Sequence, residues 1–358
     1  MPRPTTATLH ADALRHNLGE LRRRAPGTRV MAVVKADGYG HGLERVAHAL
    51  SGADAFGVAM IEDARRLRAL GLAQPILLLA GFNDAVDLPE VRSLGLDAAV
   101  HHPSQLEILE QAGTGTPIRC WLKVDSGMHR LGFPPDQVRN AHARLSRLPA
   151  VADDIVLMNH FASSDDTGSV QTRDQLRVFH DCTSGLPGLR SLANSAAVLG
   201  WPESHGDWVR PGGALYGMSV AAGRTGAEFG LRPAMTFATG LIAVNRVRRG
   251  EPIGYSATWT CPEDMLVGIA AVGYGDGYPR HAPSGTPVLV SGRPAAVVGR
   301  VSMDLLAIDL RGHPAAAPGD EVVLWGEGLP VEVVAAAAGT ISYELTCSVT
   351  GRVRRNAG

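Results

Sequence analysis

Apolar positions along this chain follow two regimes. In the first, short continuous apolar runs alternate with stretches whose apolar residues recur near every 3.6 positions. The runs lie at 30–35, 53–60, 75–81, 97–101, 118–124, 155–160, 189–194 and 208–215, the last broken by Pro211 and two glycines. Helical stretches between them include 42–50, 62–70, 104–111, 135–148 and 170–185. Unbroken apolar runs suit strands covered on both faces, as parallel strands under helices are. Ser104, three residues before Glu107, has capping-box spacing. Eight strand–helix units joined by right-handed crossovers predict an α/β fold, a (β/α)8 barrel of the TIM type. A doubly wound open sheet would alternate in the same way, but eight units within about 220 residues favour closure.

Beyond residue 231 the pattern changes. Strand-like segments at 235–247, 265–272, 287–290, 294–301, 305–310 and 321–325 are separated by turns such as Arg-Gly-Glu-Pro at 249–252 and Pro-Gly-Asp at 318–320. Only 331–338 reads as helix there. The expected organisation is therefore a barrel over 1–231 followed by a mostly β C-terminal domain over 232–358, with no internal repeat and no low-complexity linker.

Composition narrows the function classes. With 45% hydrophobic residues over 358 positions, the chain can bury two cores. A formal net charge of −1 gives no pull toward nucleic acid or anionic lipid, and 5% aromatics is too few for base stacking. The run Arg22, Arg23, Arg24 reads as the solvated end of a helix. No apolar stretch reaches the roughly 18 residues of a membrane span, and residues 1–10 hold no signal-peptide core, so a soluble, cytoplasmic protein is expected. Cys120, Cys182, Cys261 and Cys347 lie far apart with no metal-finger spacing, so they read as reduced thiols, and no metal is expected.

The basic residues carry the strongest chemical signal. Of 34, only Lys35 and Lys123 are lysines and 32 are arginines. Arg neither deprotonates in a protein nor forms a Schiff base, whereas Lys does both. Both lysines fall at predicted strand ends, and barrel active sites lie at the C-terminal ends of the strands. The same reading places Asp125 and Arg130 after the fifth strand, Asn159 and His160 at the sixth, Asn194 and Ser195 at the seventh, and Arg210, Gly212 and Gly213 at the eighth. Loops after strands seven and eight commonly hold phosphate in barrels. Gly212 and Gly213 would let backbone N–H groups approach such a group, and the Ser195 hydroxyl could donate to it. A Schiff-base lysine facing a phosphate site points to pyridoxal phosphate.

Several motifs then resemble one family. They are Val-Val-Lys-Ala-Asp-Gly-Tyr-Gly-His-Gly at 33–42, Lys-Val-Asp-Ser-Gly-Met-His-Arg-Leu-Gly at 123–132, Asn-His-Phe-Ala at 159–162, Ala-Asn-Ser at 193–195 and Val-Arg-Pro-Gly-Gly-Ala-Leu-Tyr-Gly at 209–217. In the β region they are Gly-Tyr-Ser-Ala-Thr-Trp at 254–259, Gly-Tyr-Gly-Asp-Gly-Tyr at 273–278, Gly-Arg-Val-Ser-Met-Asp at 299–304 and Ile-Ser-Tyr-Glu at 341–344. In this order they resemble bacterial alanine racemases over essentially the whole chain.

The resemblance implies roles. Lys35 would hold pyridoxal 5'-phosphate covalently and, once released, move a proton on the D face of Cα. Tyr255 would be the second base, on the L face, reaching the barrel of a partner subunit in a homodimer with shared sites. By itself Tyr255 reads equally well as a core or interface side chain. Arg210 would hydrogen-bond the pyridine nitrogen, with His160 orienting Arg210 and Tyr255. Tyr39, Asn194, Ser195, Gly212, Gly213 and Tyr343 would complete the cofactor site. Arg130 and the backbone of Met303 would take the substrate carboxylate, with Asp304 and Tyr274 at the entrance. Lys123 would be the lysine that many members carry as a carbamate, or an ordinary amine beside Asp125. Two departures stand out: Gly213 replaces a bulky apolar residue, and His129 stands where Gly is usual. The implied activity is interconversion of L- and D-alanine for peptidoglycan. Alternatives are a serine, lysine or broad-specificity racemase, a decarboxylase of related fold, or a non-catalytic cofactor-binding protein.

Overall fold

The computed structural model describes residues 4–113 and 115–358; residues 1–3 of the N-terminal stretch read above lie outside it. Two units result, and each is described separately. One comprises Arg15–Leu215 with Ser219–Arg224; the other comprises Tyr216–Met218 and Thr225–Gly358 together with residues 4–14. Strands are numbered in chain order from β1 (Thr6–Leu9).

In the first unit, β2 (Arg29–Val33), β3 (Ala55–Val58), β4 (Ile76–Leu78), β5 (Leu96–Val100), β6 (Cys120–Lys123), β7 (Val156–Met158), β8 (Leu189–Ser191) and β9 (Trp208–Val209) form one sheet in the order β8-β7-β6-β5-β4-β3-β2-β9. Every ladder in it is parallel. Ladder pairing stops between β8 and β9, and individual bonds stitch that seam. Asp207 N–H donates to Arg190 C=O at 2.9 Å, Arg210 N–H to Ala193 C=O at 2.9 Å, and Ser191 Oγ to Trp208 C=O at 3.1 Å. The eight parallel strands therefore make a nearly closed barrel, as the apolar runs predict.

The interior is filled. Met31, Ala55, Leu77, Ala99, Trp121, Val156, Met158 and Trp208 pack together from seven of the eight strands, with Leu189 of the eighth against them. The Trp121 and Trp208 rings lie 5.7 Å apart. Large and small residues share the layer, so the barrel is a packed core and access is left to its strand ends. Helix boundaries follow local chemistry. Ala11–Arg24 ends on Arg22, Arg23 and Arg24, cations that complement the helix dipole. The capping box expected at Ser104 does not form: the cap of Pro103–Glu110 is His102, whose side chain accepts the Ser104 N–H, because Pro103 occupies the first helical position.

The second unit is mostly β. Besides β1 it holds β10 (Met235–Val247), β11 (Pro252–Ile253), β12 (Trp259–Thr260), β13 (Met265–Ala270), β14 (Pro287–Val290), β15 (Arg293–Val298), β16 (Leu306–Asp309), β17 (Glu321–Trp325) and β18 (Arg354–Ala357). The long β10 pairs with both β13 and β17, and β13-β16-β15-β14-β17 complete a closed circuit with it. Register shifts at Phe237/Ala238 and Leu241/Ala243 let β10 turn between its two partners. The strand β1 lies antiparallel to β10 and parallel to β18. The division thus differs from a single cut at 231/232, because the chain's first strand is a strand of the β unit. A second helix, Ser342–Cys347, follows the expected Val331–Ala338. Among the described residues no helix is long and apolar enough to cross a membrane.

Candidate active site

The backbone immediately after β2 is unusual. Lys35–Tyr39 forms one left-handed helical turn: Ala36, Asp37, Gly38 and Tyr39 have φ of 54°, 53°, 61° and 53°. Three of these carry a Cβ, and each costs roughly 1–2 kcal/mol in this conformation. Local bonds hold it. Gly38 N–H donates to Val34 C=O and Gly40 N–H to Ala36 C=O, both at 2.9 Å. Asp37 Oδ1 accepts the Leu43 N–H at 3.0 Å and Arg66 Nη2 at 2.8 Å. Arg66 also grips Glu44 through two bonds. The result turns Lys35 out of the strand and leaves it exposed. Strain of this kind concentrates at functional sites.

Cations converge at the strand ends. The charges of Arg210, Arg130 and Lys35 all act on Lys123, which is buried at the end of β6. Burial first, then those neighbours, lower its pKa to about 8. Among the described residues its Nζ has no hydrogen-bond partner, and neither does the exposed Arg130 guanidinium. Asp125 is the nearby carboxylate, and it is occupied by its own loop. Its Oδ1 accepts N–H bonds from Gly127, Met128 and His129 at 3.0, 3.1 and 2.9 Å. Burial works against its ionisation, but these donors outweigh it and hold the carboxyl below its usual range. His129 takes a left-handed φ of 56°, where Gly would be unstrained, and its Nδ1 lies 3.1 Å from Asp125 Oδ2. The departure at 129 is thus accommodated by a left-handed backbone beside Asp125.

Arg210 is buried, and its bonds differ from the expected pattern. Nη1 donates to Ser191 C=O at 2.7 Å and Ser191 Oγ at 2.6 Å; Nη2 donates to Asn159 C=O at 2.6 Å and Leu192 C=O at 3.4 Å. No hydrogen bond joins it to His160, so carbonyls at the barrel seam, and not the imidazole, orient this guanidinium. The acceptors come from the strand ends: Asn159 and Leu192 lie just past β7 and β8, and Ser191 C=O, which also accepts the Asn159 N–H at 3.2 Å, has a second lone pair for the guanidinium. Nε makes none of these bonds. Burial lowers the pKa of Arg210 to about 10, still cationic at neutral pH. His160 is driven to about 3 by burial and by the charges of Arg210, Lys123, Arg130 and Lys35, so its ring is neutral.

A small-residue cradle completes the mouth. Ser195 Oγ accepts the Gly212 N–H at 2.8 Å and the Ala214 N–H at 3.2 Å, leaving its hydroxyl proton to donate. A Cβ at Gly212 would collide with Tyr39 Oη, so only glycine permits this approach. Gly213 opens the short turn Gly213–Tyr216. Asn194 is committed as a helix cap: its Oδ1 accepts Ala197 N–H at 3.0 Å and Ser164 Oγ at 2.9 Å.

In the β unit, Tyr255 sits at the tip of the β11–β12 hairpin and is 68% exposed, which removes the core reading. Gly254, Ser256 and Ala257 around it all have positive φ. Tyr274 and Met303 are neighbours by backbone: Tyr274 N–H donates to Ser302 C=O at 3.1 Å and Gly275 N–H to Met303 C=O at 2.9 Å. Asp304 is held by Arg352, whose Nε also lies 3.0 Å from the buried Asp276. Tyr343 lies half-buried in the first turn of Ser342–Cys347. The supporting residues Ser191, Arg66 and Arg352 carried no sequence signal, and Ser126 and Asn159, though inside quoted motifs, had no assigned role, since each acts through a fold contact.

Fold and site define a class: a barrel enzyme with a strand-end amine and a cation-lined mouth. Comparison with known proteins then narrows it. The family "Alanine racemase, N-terminal domain" matches residues 9–220 and "Alanine racemase, C-terminal domain" matches residues 234–357. An alanine racemase of Nitrosococcus oceani is 55% identical over 350 residues, covering 98% of each chain. The crystal structure of the biosynthetic alanine racemase from Pseudomonas aeruginosa superposes with a TM-score of 0.97 at 47% identity, covering 99% of both chains. The alanine racemase structure from Acinetobacter baumannii gives 0.93 at 35% identity, covering 99% of this chain and all of that one. The chain belongs to the alanine racemase family.

Proposed function

We propose that this protein interconverts L- and D-alanine with pyridoxal 5'-phosphate, as a cytoplasmic homodimer supplying D-alanine for peptidoglycan. The observation that carries the reading is the barrel mouth: Lys35, Lys123, Arg130 and Arg210 act on one neutral His160. The carboxylate acting on Lys123, Asp125, is already occupied by its own loop. The residues present fit the cofactor. The Ser195 hydroxyl, the Gly212–Gly213 backbone and Tyr39 would hold its phosphate, joined by Tyr343, and Arg210 has Nε left for the ring nitrogen. The chemistry a bound pyridoxal phosphate supplies is electron withdrawal from Cα, which acidifies the Cα–H bond.

The chain's own groups do the rest. Arg210 stays protonated, so it donates to the ring nitrogen without transferring a proton. That makes a weaker electron sink and favours return of the proton to Cα. Arg130, unpaired among the described residues, takes the substrate carboxylate, and the Met303 N–H, which makes no bond among them, supports it. Lys35 Nζ holds a proton on the D side of Cα, and the Oη of Tyr255 of the partner subunit holds one on the L side. One proton leaves Cα on one face and one arrives on the other, so nothing is consumed. Asp304 and Tyr274 line the entrance. Lys123, with its amine neutral in part at neutral pH, adds carbon dioxide to give a carbamate and a proton, and the new anion positions Arg130.

The test is chiral chromatography of purified protein given cofactor and L-alanine in D2O, with L-serine and L-lysine in parallel. D-Alanine deuterated at Cα, well above the other two products, is expected. Exchange on serine or lysine instead would reassign the substrate; no exchange on any would end the racemase reading. Tyr255→Phe should bind cofactor and lose turnover from L-alanine by about 10²–10⁴-fold.

A further inference from the structure

One helix reaches two of the strand-end loops at once. Gln175, on Val170–Thr183, is 1% exposed although its side chain is polar. Its Oε1 accepts the Ala162 N–H at 2.9 Å, while Nε2 donates to His160 C=O at 3.0 Å and to Ser126 Oγ at 3.3 Å. Ser126 Oγ also accepts Asn159 Nδ2 at 3.0 Å, and Asn159 C=O holds Arg210. One turn earlier on the same face, Gln171 repeats the link: Nε2 donates to Gly127 C=O at 3.2 Å and Oε1 accepts Ser163 Oγ at 2.6 Å. Two glutamines on one helix thus tie the 125–130 loop to the 159–163 loop.

We propose that Gln175 is a positioning residue for the reaction, setting the loop of Arg130 against the strand end that carries His160 and anchors Arg210. This inference rests on the racemase reading above. Among the described residues the His160 ring finds no hydrogen-bond partner, so the main chain around it fixes its position. Gln175 closes that main chain as a neighbouring strand would, by taking the 162 N–H and the 160 C=O together. Ser126 lies three residues after Lys123 and four before Arg130, so the same carboxamide sets where the carboxylate-binding loop begins. Arg130 contributes binding held equally in ground and transition states, so its misplacement is read mainly in KM.

The experiment compares Gln175→Met, which keeps length and removes all three bonds, with Ser126→Ala and the double variant. For Gln175→Met the KM for L-alanine should rise about tenfold with kcat within about threefold, and cofactor affinity by absorbance titration should be unchanged. Ser126→Ala should reproduce part of the rise, and since it also removes the acceptor of Asn159 Nδ2, the double variant should exceed Gln175→Met but fall short of the product of the two single effects. Hydrogen exchange should quicken in both 125–130 and 159–163. An unchanged KM, or single effects that simply multiply, overturns the proposal. Should Gln175→Met not fold, an unchanged KM in Ser126→Ala overturns it equally. If the wild type does not turn over alanine, the reaction reading fails, and exchange decides the clamp alone: faster in both loops supports it, confined to the helix overturns it.

Discussion

At the residue scale, Lys123 shows how composition becomes chemistry. Its rarity was legible in the sequence; its pKa was not, because burial under the barrel mouth and three neighbouring cations exist only after folding. A folded pKa near 8 against 10.5 unfolded means the unfolded chain binds more protons between those values. Stability of the cofactor-free protein should therefore rise with pH across 8 to 10.5, by up to about 3 kcal/mol. Lys123→Met should lack that rise, and the difference between their urea midpoints at pH 7.5 and 10, in carbon dioxide-free buffer, isolates it from other titrating groups. Parallel curves would place Lys123 in water. His160 runs the same way at lower pH. Its folded value near 3 lies below the ordinary His value, so stability is present above about 6.5 and is lost as pH falls toward 3. The sequence marked His160 and Arg210 as site residues but not the Ser191, Asn159 and Leu192 carbonyls that the guanidinium meets, because only the fold brings these together.

At the element scale, most barrel strands were legible because they lie within apolar runs, the weakest being the broken eighth run, of which only Trp208–Val209 is strand, and β10, β14 and β17 match their expected bounds. β1 and β18 were not, because each has four residues and is a strand only through a partner far along the chain. The left-handed turn at Lys35 was hidden for another reason: Ala36, Asp37 and Tyr39 all disfavour it, so propensity points elsewhere. Tertiary bonds must sustain it, and two candidates can be separated. Asp37→Ala removes the acceptor for the Leu43 N–H and should cost about 1–2 kcal/mol. Arg66→Ala removes half-exposed ion pairs and should cost under about 1 kcal/mol. Asp37→Ala should also weaken cofactor binding, since Lys35 then loses its fixed exit from the strand. Equal or reversed costs in thermal denaturation would make the ion pairs, not the backbone cap, the support of this turn.

At the scale of the whole molecule, the change from apolar runs to short Gly- and Pro-bounded strands announced two folding units, though not that the first strand joins the second unit. What the sequence left open was whether Tyr255 is a core residue, and its exposed place on the hairpin tip answers that. An exposed tyrosine offered on a strained tip suits a partner's site better than a packing role. The proposed two-subunit arrangement makes a sharp prediction. Lys35→Ala and Tyr255→Phe are each expected to be inactive as homodimers. In a mixed dimer, one site would combine both defects. The other would combine an intact Lys35 barrel with the intact Tyr255 of the partner subunit. Denaturing and refolding the two variants together should therefore restore about a quarter of wild-type turnover, from half the dimers carrying one good site of two. If each chain used its own Tyr255, every site in the mixture would carry one defect and no activity would return. Recovery thus requires both a dimer and exchange of the tyrosine across it.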